Sequence, residues 1–202
     1  HFNPNQGAFE AWIKPNFSST DTGTYYVFDV GSAQLFFDGT IFKWRSLVNG
    51  VTLVGPGATF SVGDWVYLLL NWDAIGDNLL SLQVNGAAAN SSDSQTVSLA
   101  LPFVYLGQDG SGGNRFTGAL TTRILNAPVS PHYSAGPAGA EETFAATPET
   151  LFLGGYSDTT TDGLTLHHGQ TVVATTLTGV AVNAPVGGYS WKDNDQVVVY
   201  DG

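Results

Sequence analysis

Apolar and polar residues alternate with a period of two along most of the chain, and helical spacing is nearly absent, so the sequence predicts an all-β protein. In Trp65-Val66-Tyr67-Leu68-Leu69-Leu70-Asn71-Trp72 both faces are largely apolar, as expected of a central strand covered on each side. Leu80-Ser81-Leu82-Gln83-Val84 alternates cleanly and ends in Asn85-Gly86, a dipeptide suited to a tight hairpin turn with positive φ. It reads as a strand with one wet face. Further candidate strands are residues 7–14, 25–31, 33–37, 40–46, 97–101, 103–107 and 116–125. Turns at Asp38-Gly39, Asn49-Gly50, Gly63-Asp64 and Gly76-Asp77-Asn78 give the spacing of a two-sheet antiparallel jelly-roll sandwich.

The pattern changes after about residue 126. Between Ala127 and Glu149 the chain holds Pro128, Pro131, Pro137 and Pro148 among small residues, the composition of an extended connector. The organisation expected is a jelly roll over 1–131, a Pro/Ala-rich connector over 132–149 and a β-rich C-terminal extension over 150–202. The extension has candidate strands at 150–156, 163–168, 171–177, 179–183 and 196–200. About 50 residues without disulfide or metal make a marginal independent fold, so the extension should pack on the first domain or on a partner chain. Gln170–Thr176 and Gln196–Tyr200 carry little charge and few edge-protecting Lys or Pro residues, which suits pairing with another chain. Extension of the domain's own sheets is the alternative.

Charge locates the acidity and narrows the partners. The 202 residues hold 17 acidic and 6 basic side chains, for a net charge of −11. Residues 1–131 contain 5 basic and 9 acidic groups, and residues 132–202 contain 1 and 8, so connector and extension together carry most of the excess. No positive field is present to grip nucleic acid or an anionic membrane surface. Only 11% of residues are charged, against the usual ~25%, and Gly, Ser, Thr, Asn and Ala fill the polar positions, as in extracellular or virion-surface β proteins. Absence of Cys rules out disulfides, zinc thiolates and a cysteine nucleophile. No apolar run approaches the ~20 residues of a membrane helix, and no signal peptide remains at the start. The chain lacks Met, so it is expected to be a processed product or part of something longer.

The motif order resembles a known family. Gly7-Ala8-Phe9-Glu10-Ala11-Trp12-Ile13-Lys14-Pro15 is similar to the opening strand of laminin G-like, concanavalin A-like jelly rolls. Val62 to Asp73, Leu82-Gln83-Val84-Asn85-Gly86 and Val104-Tyr105-Leu106-Gly107 resemble later family phrases. Phe116-Thr117-Gly118-Ala119-Leu120 with Arg123-Ile124-Leu125-Asn126 resembles the closing one. The resemblance covers residues 7–126 and implies two antiparallel sheets packed face to face. It does not imply one function, because relatives include glycan-binding modules, adhesion domains, virion parts and glycoside hydrolases.

Each of those classes demands its own chemistry. A retaining glycosidase needs two carboxylates about 5 Å apart, commonly from a "Glu-x-Asp-x-x-Glu" strand. The four Glu residues, Glu10, Glu141, Glu142 and Glu149, form no such cluster. Among His1, His132, His167 and His168 none accompanies a Gly-x-Ser-x-Gly elbow, so no serine triad is expected. No cofactor is expected, with calcium as the one candidate that the resemblance implies. Its ligands would be Asp38, Asp73, Asp77 and Asp109, although Thr121-Thr122 and Asn85-Gly86 depart from the family's acidic positions. Glycan recognition pairs an aromatic platform with groups that hydrogen-bond hydroxyls, which selects Trp12 and Trp44, with Tyr25, Asn71 and Arg115 as polar company. Packing in the core or at a sheet edge is the other reading of both Trp residues. Sequons occur at Asn16 and Asn90, in expected loops. The expectation is a non-catalytic structural or adhesion module, outside cells or on a cell or virion surface, that assembles with neighbouring subunits and binds glycans. The alternatives are a free-standing lectin and a divergent glycoside hydrolase.

Overall fold

The computed structural model describes residues 3, 5–30, 33–46, 50–76, 79–91, 103–107, 114, 116–131, 133, 150–156, 189–192 and 196–199. The described residues form strands and turns and contain no helix. The strands are β1 (Gln6–Pro15), β2 (Thr24–Asp29), β3 (Ala33–Asp38), β4 (Ile41–Ser46), β5 (Thr52–Val54), β6 (Val66–Asp73) and β7 (Leu79–Val84). They continue with β8 (Ala87–Ser91), β9 (Phe103–Leu106), β10 (Gly118–Leu125), β11 (Thr150–Tyr156), β12 (Tyr189–Lys192) and β13 (Gln196–Val199). They make two antiparallel sheets, ordered β11-β10-β1-β6-β7-β8 and β13-β12-β9-β2-β3-β4-β5. The molecule is therefore the all-β jelly-roll sandwich that the alternation predicts.

Strand parity builds the core. Phe9, Ala11 and Ile13 of β1 face inward with Leu68, Leu70 and Trp72 of β6, Leu80 and Leu82 of β7, and Leu120 and Ile124 of β10. From the other sheet come Phe28, Leu35, Phe37, Phe42 and Trp44. The Phe9 and Phe28 rings, 4.5 Å apart, join the two sheets. At one end Phe17 stacks on Tyr25 at 4.0 Å and meets Phe116 edge-on at 5.8 Å.

A second apolar cluster lies on the outward face of the six-stranded sheet: Ala8, Trp12, Tyr67, Leu69 and Leu125, with Trp65, Val129 and Tyr133 packed over it. This explains why β6 is apolar on both faces. The chain past β10 thus starts its proline-bearing stretch docked on its own sheet, with Val129 and Tyr133 as anchors.

Two short strands escape the alternation. β5 has three residues, and β8 is Ala-Ala-Ala-Asn-Ser, of low strand propensity. The β7–β8 hairpin forms because Asn85 (φ 48°) and Gly86 (φ 81°) both take the positive φ that its turn demands. The sequon Asn90 consequently lies in β8 and not in a loop. In the extension, β11 pairs with β10, and β12 pairs with β9, so these strands extend the chain's own sheets. The short strand β12 is not among the strands that the sequence pattern predicts. The candidates at 97–101, 163–168, 171–177 and 179–183 lie outside the described residues.

Candidate functional site

The two candidate platform residues face different ways. Trp44, with Phe42 and Ser46, points between the sheets and has no exposed surface. Trp12 points outward from the six-stranded sheet but is 3% exposed, against Tyr67 at 5.2 Å and stacked on Tyr133 at 6.3 Å. Neither indole offers a ring face to a ligand. Tyr25 faces Phe17 and Phe37, and its hydroxyl donates to Asp21 Oδ1 at 3.0 Å. Burial, then the Asp21 carboxylate, push that phenol above its ordinary pKa. Asn71 clasps the docked segment: its Nδ2 donates to the Val129 carbonyl at 2.9 Å and its Oδ1 accepts from the Val129 N–H at 3.1 Å. Arg115 lies outside the described residues. The structure does not bring Trp12, Trp44, Tyr25 and Asn71 together.

The described calcium candidates are spent on other work. Asp38 accepts from Lys43 Nζ at 2.8 Å and from the Thr24 hydroxyl at 3.3 Å. The Lys43 ammonium, with help from Thr24 and Arg45, holds the Asp38 carboxyl below the usual carboxylate range. Asp73 Oδ1 accepts from Gln6 Nε2 at 3.0 Å and from the Ile75 and Gly76 amides at 3.1 and 2.6 Å, which makes it a turn-closing group. The two lie in different sheets, and these donors do not fit a shared cation. No group of three or more His, Cys, Asp or Glu gathers as a metal site among the described residues. Asp77 and Asp109 lie outside them.

The polar and aromatic grouping is elsewhere, on the outward face of the seven-stranded sheet. Register places two rows side by side across β2, β3, β4 and β5: Tyr26, Phe36, Lys43, Val54 and Asp29, Gln34, Arg45, Thr52. The Tyr26 and Phe36 rings stack at 5.2 Å, and the Arg45 guanidinium lies 5.1 Å from the Phe36 centroid, within cation–π range. One Arg45 terminal nitrogen donates to Gln34 Oε1 at 2.6 Å and to the Tyr26 hydroxyl at 3.0 Å. Gln34 Nε2 in turn donates to Asp29 Oδ2 at 2.9 Å. Arg45 Nε is buried with no acceptor among the described residues. The inner members are closed in, Asp29 at 2% and Phe36 at 5% exposure, while Asp38, Lys43, Arg45, Thr52 and Val54 form the more open side. The signal was present in the sequence: in Gln34-Leu35-Phe36-Phe37-Asp38 and Phe42-Lys43-Trp44-Arg45, alternation sends Phe36 outward beside two of the chain's six basic residues.

A second missed cluster is ionic. Glu10 stands opposite Arg123 across β1 and β10, and Arg123 Nε donates to Glu10 Oε2 at 2.6 Å; the Tyr67 hydroxyl donates to Oε1. Arg123 is 2% exposed and Glu10 not at all. A carboxylate so enclosed by its partners is not disposed to meet a substrate.

The family model for laminin G-like domains, described as the concanavalin A-like lectin/glucanases superfamily, matches residues 1–132. The chain belongs to that superfamily. As a laminin G-like member it carries the resembling motifs on the strands they imply: the opening phrase on β1, the Trp-Asp phrase on β6 and the Arg-Ile-x-Asn phrase at the end of β10. No curated protein matches it. Among solved structures it is similar to a native heptameric SAP-like pentraxin from Limulus polyphemus. That match has 15% identity and a TM-score of 0.45, and covers 62% of this chain and 66% of that one, just under two thirds of the pentraxin's length. It is also similar to Scytalido-glutamic peptidase, at 12% identity and a TM-score of 0.35, covering 63% of this chain and 79% of that one.

Proposed function

We propose that the protein is a non-catalytic structural or adhesion module, working outside the cell or on a cell or virion surface, that assembles with neighbouring subunits and binds glycans. The glycan face is the outward face of the seven-stranded sheet. The observation that carries this reading is the more open side of that face, where the Arg45 guanidinium, anchored from beneath by Gln34 and the Tyr26 hydroxyl, stands beside Lys43, Thr52 and the exposed Val54. Cationic donors, a hydroxyl and an exposed apolar side chain are groups that meet sugar hydroxyls and apolar sugar faces. The sparse charge and the abundance of Ser, Thr and Asn in the chain support an extracellular setting. The enclosure of Glu10 by Arg123 and Tyr67 supports a non-catalytic role for that carboxylate. A glycan array tests the reading: the wild type retains a defined glycan set, Arg45→Ala loses it, and folding is checked by near-ultraviolet dichroism. Retention of the whole set by folded Arg45→Ala, or steady release of reducing sugar by the wild type, overturns it.

A further inference from the structure

Asp29 is a buried carboxylate on the outward side of the seven-stranded sheet, and the proposed glycan contact does not touch it. A β-bulge puts it there. Between Tyr26 and Phe28 the β2–β3 register shifts, so Val27 and Phe28 both point into the inter-sheet core and Asp29 returns to the outward side, in the row next to that of Tyr26. Strict alternation from Tyr26 would instead turn Asp29 into the core. From Asp29 the row continues to Gln34 on β3 and Arg45 on β4, and hydrogen bonds follow the register. Gln34 Nε2 donates to Asp29 Oδ2 at 2.9 Å, and Arg45 Nη2 donates to Gln34 Oε1 at 2.6 Å.

The two ends of this relay leave Gln34 one choice. A carboxylate only accepts hydrogen bonds and a guanidinium only donates them, so the amide between them must turn its nitrogen to Asp29 and its oxygen to Arg45. Were residue 29 not to fix that choice, the flipped amide would set N–H donors against the Arg45 cation. The oriented oxygen, the Tyr26 hydroxyl at 3.0 Å and the Phe36 ring at 5.1 Å together hold the guanidinium. Its Nη2 is turned to Gln34 and Tyr26, both buried, and its Nε is buried as well. Nη1 is then the guanidinium nitrogen left for the open side of the face, where register also puts Lys43 and Thr52.

We infer that Asp29 is a positioning residue for the glycan contact: through the Gln34 amide it fixes the Arg45 guanidinium with Nη1 toward the ligand. The inference rests on the proposed function for the nature of the ligand, and on the relay alone for the orientation of Arg45.

The test is a charge swap. Asp29→Asn lets the Gln34 amide flip. The double variant Asp29→Asn/Gln34→Glu keeps the net charge and restores the relay, because the new amide donates to one oxygen of the new carboxylate and Arg45 donates to the other. The arginine side-chain N–H spectrum reads the orientation, since hydrogen bonds slow rotation about the Cζ–Nη bonds, and Arg45→Ala assigns the Arg45 signals. The full chain should give resolved Nη signals for Arg45, averaged signals in Asp29→Asn and resolved signals again in the swap. On a glycan array, retention should weaken about tenfold in Asp29→Asn, the scale of one charge-assisted hydrogen bond, and return in the swap. Averaged Arg45 signals in the wild type, resolved ones in Asp29→Asn, or averaged ones in a folded swap overturn the inference. If Asp29→Asn does not fold by itself, a folded swap with fixed Arg45 supports the inference and an unfolded swap overturns it. Spectra that follow the expected order in a wild type that retains no glycan overturn the proposed function and leave the relay standing.

Discussion

Removing Arg123 should expose how much the outward face of the six-stranded sheet depends on a single buried ion pair. The Arg123→Met variant keeps the length and apolar stem of the side chain and deletes the guanidinium that meets Glu10 Oε2 at 2.6 Å. Glu10 then remains at zero exposure and loses the Arg123 guanidinium. Breaking a buried pair in this way costs about 3–5 kcal/mol, because one charge is left without compensation. With a urea slope of about 2 kcal/mol per molar, the unfolding midpoint should fall by roughly 2 M. The pair itself need not be stabilising, since its Coulomb gain is offset by the loss of hydration of both ions. The triple variant Glu10→Leu/Tyr67→Phe/Arg123→Met, which removes these three polar groups together, should therefore recover most of the loss. Urea unfolding followed by tryptophan fluorescence measures both. A midpoint shift below about 0.5 M for Arg123→Met, or a triple variant no more stable than the single, would refute the reasoning.

Three further outcomes follow from individual contacts. Gly118 sits at φ 134°, and a Cβ there would lie 2.1 Å from the Lys14 carbonyl oxygen, so Gly118→Ala should cost at least about 1–3 kcal/mol and lower the melting temperature by several degrees. An unchanged melting temperature would show that β1 and β10 are not held in this register. Asp38 titrates below its ordinary range because Lys43 favours its charged form; the contribution it makes to stability is present above the unfolded carboxylate pKa and is lost as pH falls through the folded value. Lys43→Met should move the Asp38 carboxyl resonance in an NMR titration up towards the ordinary range, and no movement would contradict the assigned cause. The Tyr25 phenol is raised, so its contribution holds below the unfolded tyrosine pKa and fades as pH rises through the folded one; a spectrophotometric titration should find Asp21→Asn lowering that value.

The strand pattern and the family were legible because each inter-sheet position repeats every second residue, and because phrases such as Gly7 to Pro15 combine core aromatics with turn-proximal residues. What the pattern left open was the side of the sheet. Alternation puts Phe42, Trp44 and Ser46 on one strand face, but only the packing of β4 against the opposite sheet turns that face inward. Phe36 was hidden in the run Leu35-Phe36-Phe37, where every side chain is apolar and only parity marks the middle one as outward. The Glu10–Arg123 pair joins residues 113 apart, and the Asn71–Val129 clasp joins residues 58 apart, so neither leaves a local trace. The proline-bearing stretch read as a connector for the same reason: composition shows that it stays extended, and not that its first residues have a sheet to lie on.

The outward face of the seven-stranded sheet carries the central claim, and backbone NMR shift mapping with a glycan selected on the array tests it most directly. The account predicts that the perturbed amides centre on Lys43 and Arg45, with Asp38, Thr52 and Val54 around them. Perturbations centred instead on Trp12 and Asn71, or on the Asp73 turn, would contradict it.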